Sequence, residues 1–258
     1  MSDEITVVIP FKNNIDSIDL AIKSTLYQTH KNTSLILIDD GSNDGSLDVV
    51  NKYHGHPNIK IFSDGKSLGL PARLNESVSY VKTKYLARMD ADDIQVLDRL
   101  EVQLKKLKKY NSDLVCSGFY RFTDNPLQIV DASSYTETKF LTKGDIFNGS
   151  SILHPSVLGK TDWFKKNQYN EKFLKGQDQE LWMRTVKDTK ILRLKDELLF
   201  YRVDKNLDFE KINKTLKLLA GLYWQHGLYN RFFKNYVKVV FYTTINKAGI
   251  GKLYFKLR

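Results

Sequence analysis

The chain has 258 residues, is 41% hydrophobic, carries a formal net charge of +10 and contains one cysteine, Cys116. That length admits one large domain, or one domain with an extension, and the apolar fraction suffices for a core. A single cysteine excludes an internal disulfide framework, and the absence of any Cys/His cluster argues against zinc; the sparing use of cysteine fits a reducing compartment. Met1–Thr6 carries acids where a secretion signal would have a basic start, and no window approaches the run of about 18 apolar residues of a spanning helix. The charge is uneven. Residues 207–258 hold ten Lys/Arg against two acids, so a near-neutral body over 1–206 precedes a basic extension over 207–258.

In chain order, Ile5–Phe11 is a β-branched run closed by Pro10 and predicts a buried strand. Ile15–Thr29 is amphipathic at helical spacing. Leu35–Asp40 is a second strand, 41–46 a Gly/Ser/Asn/Asp loop, and Leu47–Tyr53 a helix. Ile59–Phe62 is a third strand, followed by Asp64 and Gly65. Pro71–Val81 is a helix with proline in its first turn, and Tyr85–Met89 is a fourth strand. Next come a basic amphipathic helix over Val96–Tyr110, a strand at Leu114–Gly118, an irregular stretch over 121–150, a short strand in 151–157, and a last strand ending near Arg202. Strands that are almost continuously apolar, alternating with helices, predict an α/β fold with a mostly parallel sheet covered on both faces.

The fourth strand runs into Asp90, Asp92 and Asp93. Asp90 and Asp92 point the same way on extended backbone, and carboxylates this close repel unless a cation or hydrogen-bond donors offset them. Hard oxygen ligands suit Mg²⁺ or Mn²⁺. The competing reading is an acidic turn, with Asp93 capping a helix from Ile94. Ligands of parallel sheets bind beyond the carboxyl ends of the strands. Those ends carry Pro10 and Phe11, Asp39 and Asp40, Asp64, and Asp90 and Asp92. Acids there suit hydrogen bonds to a base and sugar, with a metal between protein and phosphate. The loop at 41–46 has no Gly-x-Gly-x-x-Gly and no Gly-Lys-Ser/Thr, so dinucleotide and Walker sites are excluded.

Val7–Asn13, Ile38–Ser42 with Asp44-Gly45-Ser46, Gly69–Asn75, and Met89–Asp93 together resemble family 2 glycosyltransferases, with order and spacing retained over about residues 4–205. The resemblance implies a Rossmann-like, A-type nucleotide-diphospho-sugar fold, with a donor half over about 1–95 and an acceptor half over about 96–206. It implies that Asp39 accepts a hydrogen bond from the base, with Asp40 nearer the strand end. It also implies that Pro10 and Phe11 line the nucleoside, that Arg73 contacts diphosphate or ribose, that Asp90 and Ala91 contact the donor, and that Asp92 ligates Mn²⁺ or Mg²⁺. Asp64 stands where the family often has Asn. For Phe11 core packing is the alternative, and for Asp39 and Asp40 a turn ahead of Gly41. His154, before Pro155, would touch diphosphate, metal or acceptor, or be structural.

Phe173–Arg184 resembles the family's Glu-Asp-x-x-Leu-Trp-x-Arg segment. The resemblance makes Asp178 the catalytic base, with Glu180 as the alternative, and Gln177 replaces the usual Glu. Trp182 is either core or a sugar platform, and Arg184 either pairs with acids or meets a phosphate. One base and one displacement imply inversion at the anomeric carbon. The implied partners are a nucleotide-diphospho-sugar, UDP-hexose or UDP-N-acetylhexosamine, and a glycan or lipid-linked glycan of a bacterial surface polysaccharide. Residues 208–246 read as helix, with eleven aromatics among ten cations across 207–258. That mixture suits an anionic membrane surface, which would put the chain in the cytoplasm, on the inner face of the plasma membrane. Packing on the body and dimer contact are the alternatives; no nucleic-acid module is present. Two rival functions are a sugar nucleotidyltransferase, which needs a Gly-rich loop where Pro10–Asn14 stands, and an inactive glycan- or membrane-binding homologue, which Gln177 alone favours.

Overall fold

The structure is a computed structural model, and it describes residues 3–147, 152–203 and 209–247. Its elements are β1 (Ile5–Phe11), α1 (Ile18–Leu26), β2 (Thr33–Asp39), α2 (Ser46–Asn51), β3 (Ile59–Phe62), α3 (Leu70–Tyr80), β4 (Tyr85–Arg88), β5 (Ile94–Gln95), α4 (Arg99–Tyr110), β6 (Leu114–Phe122), β7 (Ile129–Ala132), β8 (Lys139–Phe140) and α5 (Lys143–Phe147), then a 3-10 turn (His154–Ser156), β9 (Leu158–Lys160), α6 (Thr161–Lys166), α7 (Gln177–Thr185), β10 (Ile191–Arg202), α8 (Phe209–Gln225) and α9 (Tyr229–Lys247).

The main sheet runs β3-β2-β1-β4-β9-β6-β10-β5, with β7 on β6 and β8 on β10. β3, β2, β1 and β4 are parallel, as are β6 and β10. β9 lies antiparallel between β4 and β6 and joins the two parallel blocks. Consecutive residues of β1 serve opposite faces, as a strand's period of two requires. Val7 and Ile9 pack with Ile18, Ile22, Leu100 and Leu104 under α1 and α4. Val8 packs with Leu74, Val78, Trp182 and Cys116 under α3 and α7. Cys116 is a free, fully buried thiol.

Four expectations are corrected. The helix expected from Val96 starts at Arg99, because Ile94–Gln95 pairs antiparallel with Leu199–Phe200 of β10. Asp93 therefore caps no helix. The short strand expected in 151–157 is a 3-10 turn, because Pro155 suits a first helical turn and interrupts a ladder; the strand follows at β9, and Ser151 lies outside the described residues. The stretch expected to be irregular over 121–150 holds the end of β6, then β7, β8 and α5.

The basic extension forms a helical hairpin as far as Lys247; residues 248–258 lie outside the described residues. Leu222 and Tyr223 of α8 are buried in the second core cluster, and His226 meets Phe147 edge-on at 5.3 Å. No described helix is long and apolar enough to cross a membrane.

Candidate functional site

The loops that follow β2 and β3 are folded by acids. Asp39, buried at the end of β2, accepts hydrogen bonds from the Ser42 amide (2.9 Å), the Ser42 hydroxyl (2.6 Å) and the Ser63 hydroxyl (2.9 Å). Asp40 Oδ1 accepts from the amides of Leu68 (2.6 Å) and Gly69 (3.0 Å) and from Arg73 Nε (3.2 Å). Gly69 takes φ +90°, a conformation that turns the chain into α3 and that side-chain-bearing residues rarely adopt. Arg73 is fully buried. Its guanidinium also donates to Asp64, Glu76 and the Lys66 carbonyl. Asp64 is held below the usual carboxylate range, first by its hydrogen bond from Arg73.

Three of the expected donor-side residues have their side chains engaged within the protein. Arg73, expected on diphosphate or ribose, has its fork engaged within the protein, tying the 64–69 loop to α3. Phe11, expected to stack on the nucleoside, is buried in the first core cluster beside Ile9 and Leu37; its carbonyl accepts the Asp40 amide at 2.9 Å. Ala91 is buried in the same cluster. Pro10 is buried at the end of β1.

Asp90, Asp92 and Asp93 form a turn after β4. One oxygen from each lies within 4.8 Å of the others. Asp93 is buried; its Oδ1 accepts the Arg202 amide at 2.9 Å, while its Oδ2 is buried without a partner. Burial, then Asp90, pushes Asp92 up to about 6. Burial, then Asp90 and Asp92, pushes Asp93 well above the carboxylate range. An under-compensated all-oxygen set with one orphaned buried acceptor fits a hard divalent ion such as Mg²⁺ or Mn²⁺.

Arg88, at the end of β4, is buried and ion-paired with Asp90, and its Nε and Nη1 are buried without partners. Arg202 donates to the Asp92 carbonyl at 3.0 Å and the Thr123 carbonyl at 2.8 Å, so the end of β10 clasps the acidic turn.

Asp178 lies in the first turn of α7, beside buried Gln177 and after Gly176, which takes φ +67°. Burial raises its pKa. The Gln179 amide and Arg88 oppose that shift and Asp90 adds to it, so Asp178, Arg88 and Asp90 share one electrostatic neighbourhood. His154 Nε2 meets the Tyr169 hydroxyl at 2.7 Å, and both rings are buried. Burial and then Arg88 hold His154 well below its usual range, so its imidazole is neutral. Tyr169 is raised by burial and senses Arg88, Asp178 and Asp90 in turn.

Three downstream side chains have other engagements. Trp182 is core, between His154 (6.0 Å, edge-on) and Trp163 (6.1 Å, stacked). Glu180, the alternative base, is held by Arg184 through two hydrogen bonds of 2.7 and 3.1 Å. Arg184 lines a cavity of about 500 Å³ with Lys84, Asp113 and Lys160. Lys84 precedes β4, so that cavity lies at the opposite end of the strand from Asp90. Sequence reasoning missed Arg88, Tyr169 and Arg202. Arg88 alone carried a local signal: a cation inside an apolar strand, two residues before the acids.

The family model described as Glycosyl transferase family 2 matches residues 6–172. Among curated relatives, an uncharacterized glycosyltransferase of Methanocaldococcus jannaschii is 30% identical over 237 residues, which cover 87% of this chain and 80% of that protein. A cholesterol galactosyltransferase of Borreliella burgdorferi is 42% identical over 118 residues, 45% of this chain and 33% of that protein. Staphylococcus aureus TarS 1–349 in complex with UDP-GlcNAc superposes with a TM-score of 0.68 at 19% identity, covering 84% of this chain and 65% of that one. The mannosyltransferase PcManGT of Pyrobaculum calidifontis, in complex with GDP-Man and Mn²⁺, gives 0.64 at 14% identity over 84% and 62%. The chain thus spans a third of the galactosyltransferase's length and just under two thirds of TarS 1–349, whose likeness at this identity is one of fold. The match over residues 6–172 and the near full-length archaeal relative carry the assignment: the chain belongs to glycosyl transferase family 2.

Proposed function

We propose that this chain transfers a sugar from a nucleotide diphosphate, a UDP-hexose or UDP-N-acetylhexosamine, to a glycan hydroxyl, with inversion and with a divalent metal. The observation that carries the reading is the Asp90–Asp92–Asp93 cluster beside the buried, ion-paired Arg88, with the charges of Arg88 and Asp90 both felt at Asp178. Asp178 takes the proton of the acceptor hydroxyl as that oxygen bonds to the anomeric carbon. The bond from this carbon to the diphosphate oxygen breaks, and its electron pair leaves with the nucleoside diphosphate. The raised pKa of Asp178 suits a base. A Mn²⁺ or Mg²⁺ ion held by Asp92, with Asp90 and Asp93 beside it, would supply charge neutralisation to the departing diphosphate. Arg88 adds a fixed positive charge where burial strengthens it. Asp39 and Asp40 shape the base side, and His154 offers a neutral ring to the acceptor side.

The acceptor is a lipid-linked bacterial surface glycan of the O-antigen, capsule or lipooligosaccharide kind. The chain acts from the inner face of the plasma membrane, with its basic extension against anionic lipid. A nucleotide-release screen over UDP-, GDP- and dTDP-sugars tests the reading. Turnover with a UDP-sugar is expected, lost on chelation. Asp178→Asn is expected to lower turnover about a hundredfold or more with UDP binding retained, and Asp92→Ala to abolish metal-dependent UDP binding in titration calorimetry. Undiminished turnover in Asp178→Asn defeats the assignment of the base. Pyrophosphate release from a nucleoside triphosphate and a sugar phosphate would mark a nucleotidyltransferase instead. UDP binding without turnover on any donor would mark an inactive homologue.

A further inference from the structure

The α8–α9 hairpin leaves one surface that the body does not explain. The inner line of α9 is satisfied: Phe232 packs against the second core cluster, Val239 is buried, and Asn213 of α8 donates to the Thr243 hydroxyl at 2.9 Å. A second apolar line runs along the outside. Phe233 is 57% exposed, Tyr236 53%, Val237 65% and Val240 49%. These positions recur at helical spacing and lie on one face. At the hairpin turn, Trp224 and Tyr229 are each about half exposed and meet edge-on at 5.1 Å. Amphipathic rings of this kind favour a boundary between water and hydrocarbon. Lys234 and Lys238, both exposed, flank the stripe in an i, i+4 row. No Asp or Glu occurs between Tyr229 and Lys247.

A helix apolar on both sides requires a second covering. A second copy of this chain would set these lysines against their own equivalents, with no acid on the helix to offset them. An anionic bilayer offers apolar depth to the stripe and negative charge to its flank.

We propose that the outer face of α9, centred on Phe233, Tyr236, Val237 and Val240 with Lys234 and Lys238 beside it, is the surface that lies in an anionic lipid leaflet, while α8 anchors the hairpin to the body. This rests on the membrane reading above and assigns it to one face of one helix. Tyr223 and His226 bring the hairpin against Phe147, so lipid contact falls on the acceptor half.

The test is flotation of the full-length chain with vesicles of phosphatidylcholine, or of phosphatidylcholine mixed with phosphatidylglycerol, without donor or acceptor. The wild-type chain is expected to float with the anionic vesicles and to be released by added salt. Phe233→Glu/Val237→Glu is expected to lose at least about tenfold in partitioning, and Lys234→Gln/Lys238→Gln about tenfold at low salt. Circular dichroism and nucleotide release on a water-soluble acceptor should be unchanged in both. A wild-type chain that floats with neither vesicle overturns the membrane reading itself. One that floats as well after the glutamate substitutions overturns only the assignment to this face. A wild-type dimer in sedimentation velocity that the glutamate substitutions split would show a second copy covering the stripe, and would overturn the proposal. Flotation needs no catalysis, so failure of the transferase reading leaves this result standing on its own.

Discussion

Asp92 shows how a residue's surroundings set its chemistry. Half-buried, with Asp90 alongside, its carboxyl titrates near 6 in the metal-free protein. Asp92 is therefore protonated below about pH 6, and a divalent ion must displace that proton to bind. Mn²⁺ affinity is expected to be flat above about pH 7 and to fall about tenfold per unit below pH 6. Titration calorimetry across this range checks it; affinity unchanged down to about pH 5 would mean that Asp92 is not a ligand. Arg73 carries the opposite lesson. Its position in the Ala72-Arg73-Leu74-Asn75 stretch pointed to the donor, yet Asp40, Asp64, Glu76 and the Lys66 carbonyl take up its fork. An arginine beside a motif reads alike in sequence whether it faces a ligand or a loop, because its partners lie up to 33 positions away.

At the scale of elements, one side chain adds a polar joint between α3 and the segment before α7. Asn75 Oδ1 accepts the Tyr169 amide at 2.8 Å, and its Nδ2 donates to the Tyr169 carbonyl and the Glu171 carboxylate, both at 3.0 Å. Tyr169 in turn meets His154. Asn75→Ala should cost about 1–3 kcal/mol, since it strands backbone groups of Tyr169, and urea melts would register that loss. A change below a few tenths of a kcal/mol would show that this joint is idle. The strands and helices of residues 5–88 were legible because each strand is a mostly apolar run that closes on proline or is soon followed by acids. Those further along were less so. β5 and β8 have two residues and β9 three, too few to display a period, and β7 is exposed along its whole length. The acidic cluster and Asp178 could be picked out locally. That Arg88 and Tyr169 share their electrostatic surroundings could not, because it depends on the fold bringing β4, the 3-10 turn and α7 together.

For the whole molecule, β9 is the weld between two parallel blocks. Gly159 pairs with Leu86 on one side and Leu114 on the other. A Cβ there would stand 2.3 Å from a Leu114 methyl and 2.9 Å from the Asp113 carbonyl. Gly159→Val should therefore destabilise the fold by at least about 2 kcal/mol, read as a lower denaturation midpoint with an unchanged slope. A changed slope would indicate instead that the blocks unfold separately. The one thiol of the chain has a practical use at this scale. Cys116 is sealed beneath the second face, and its burial pushes it up to about 12, so maleimide reagents find almost no thiolate to attack in the native protein. A probe cysteine set at Val237 or any other surface position would be the sole label site without prior mutagenesis, and a nitroxide there could report immersion depth in the otherwise unaltered enzyme.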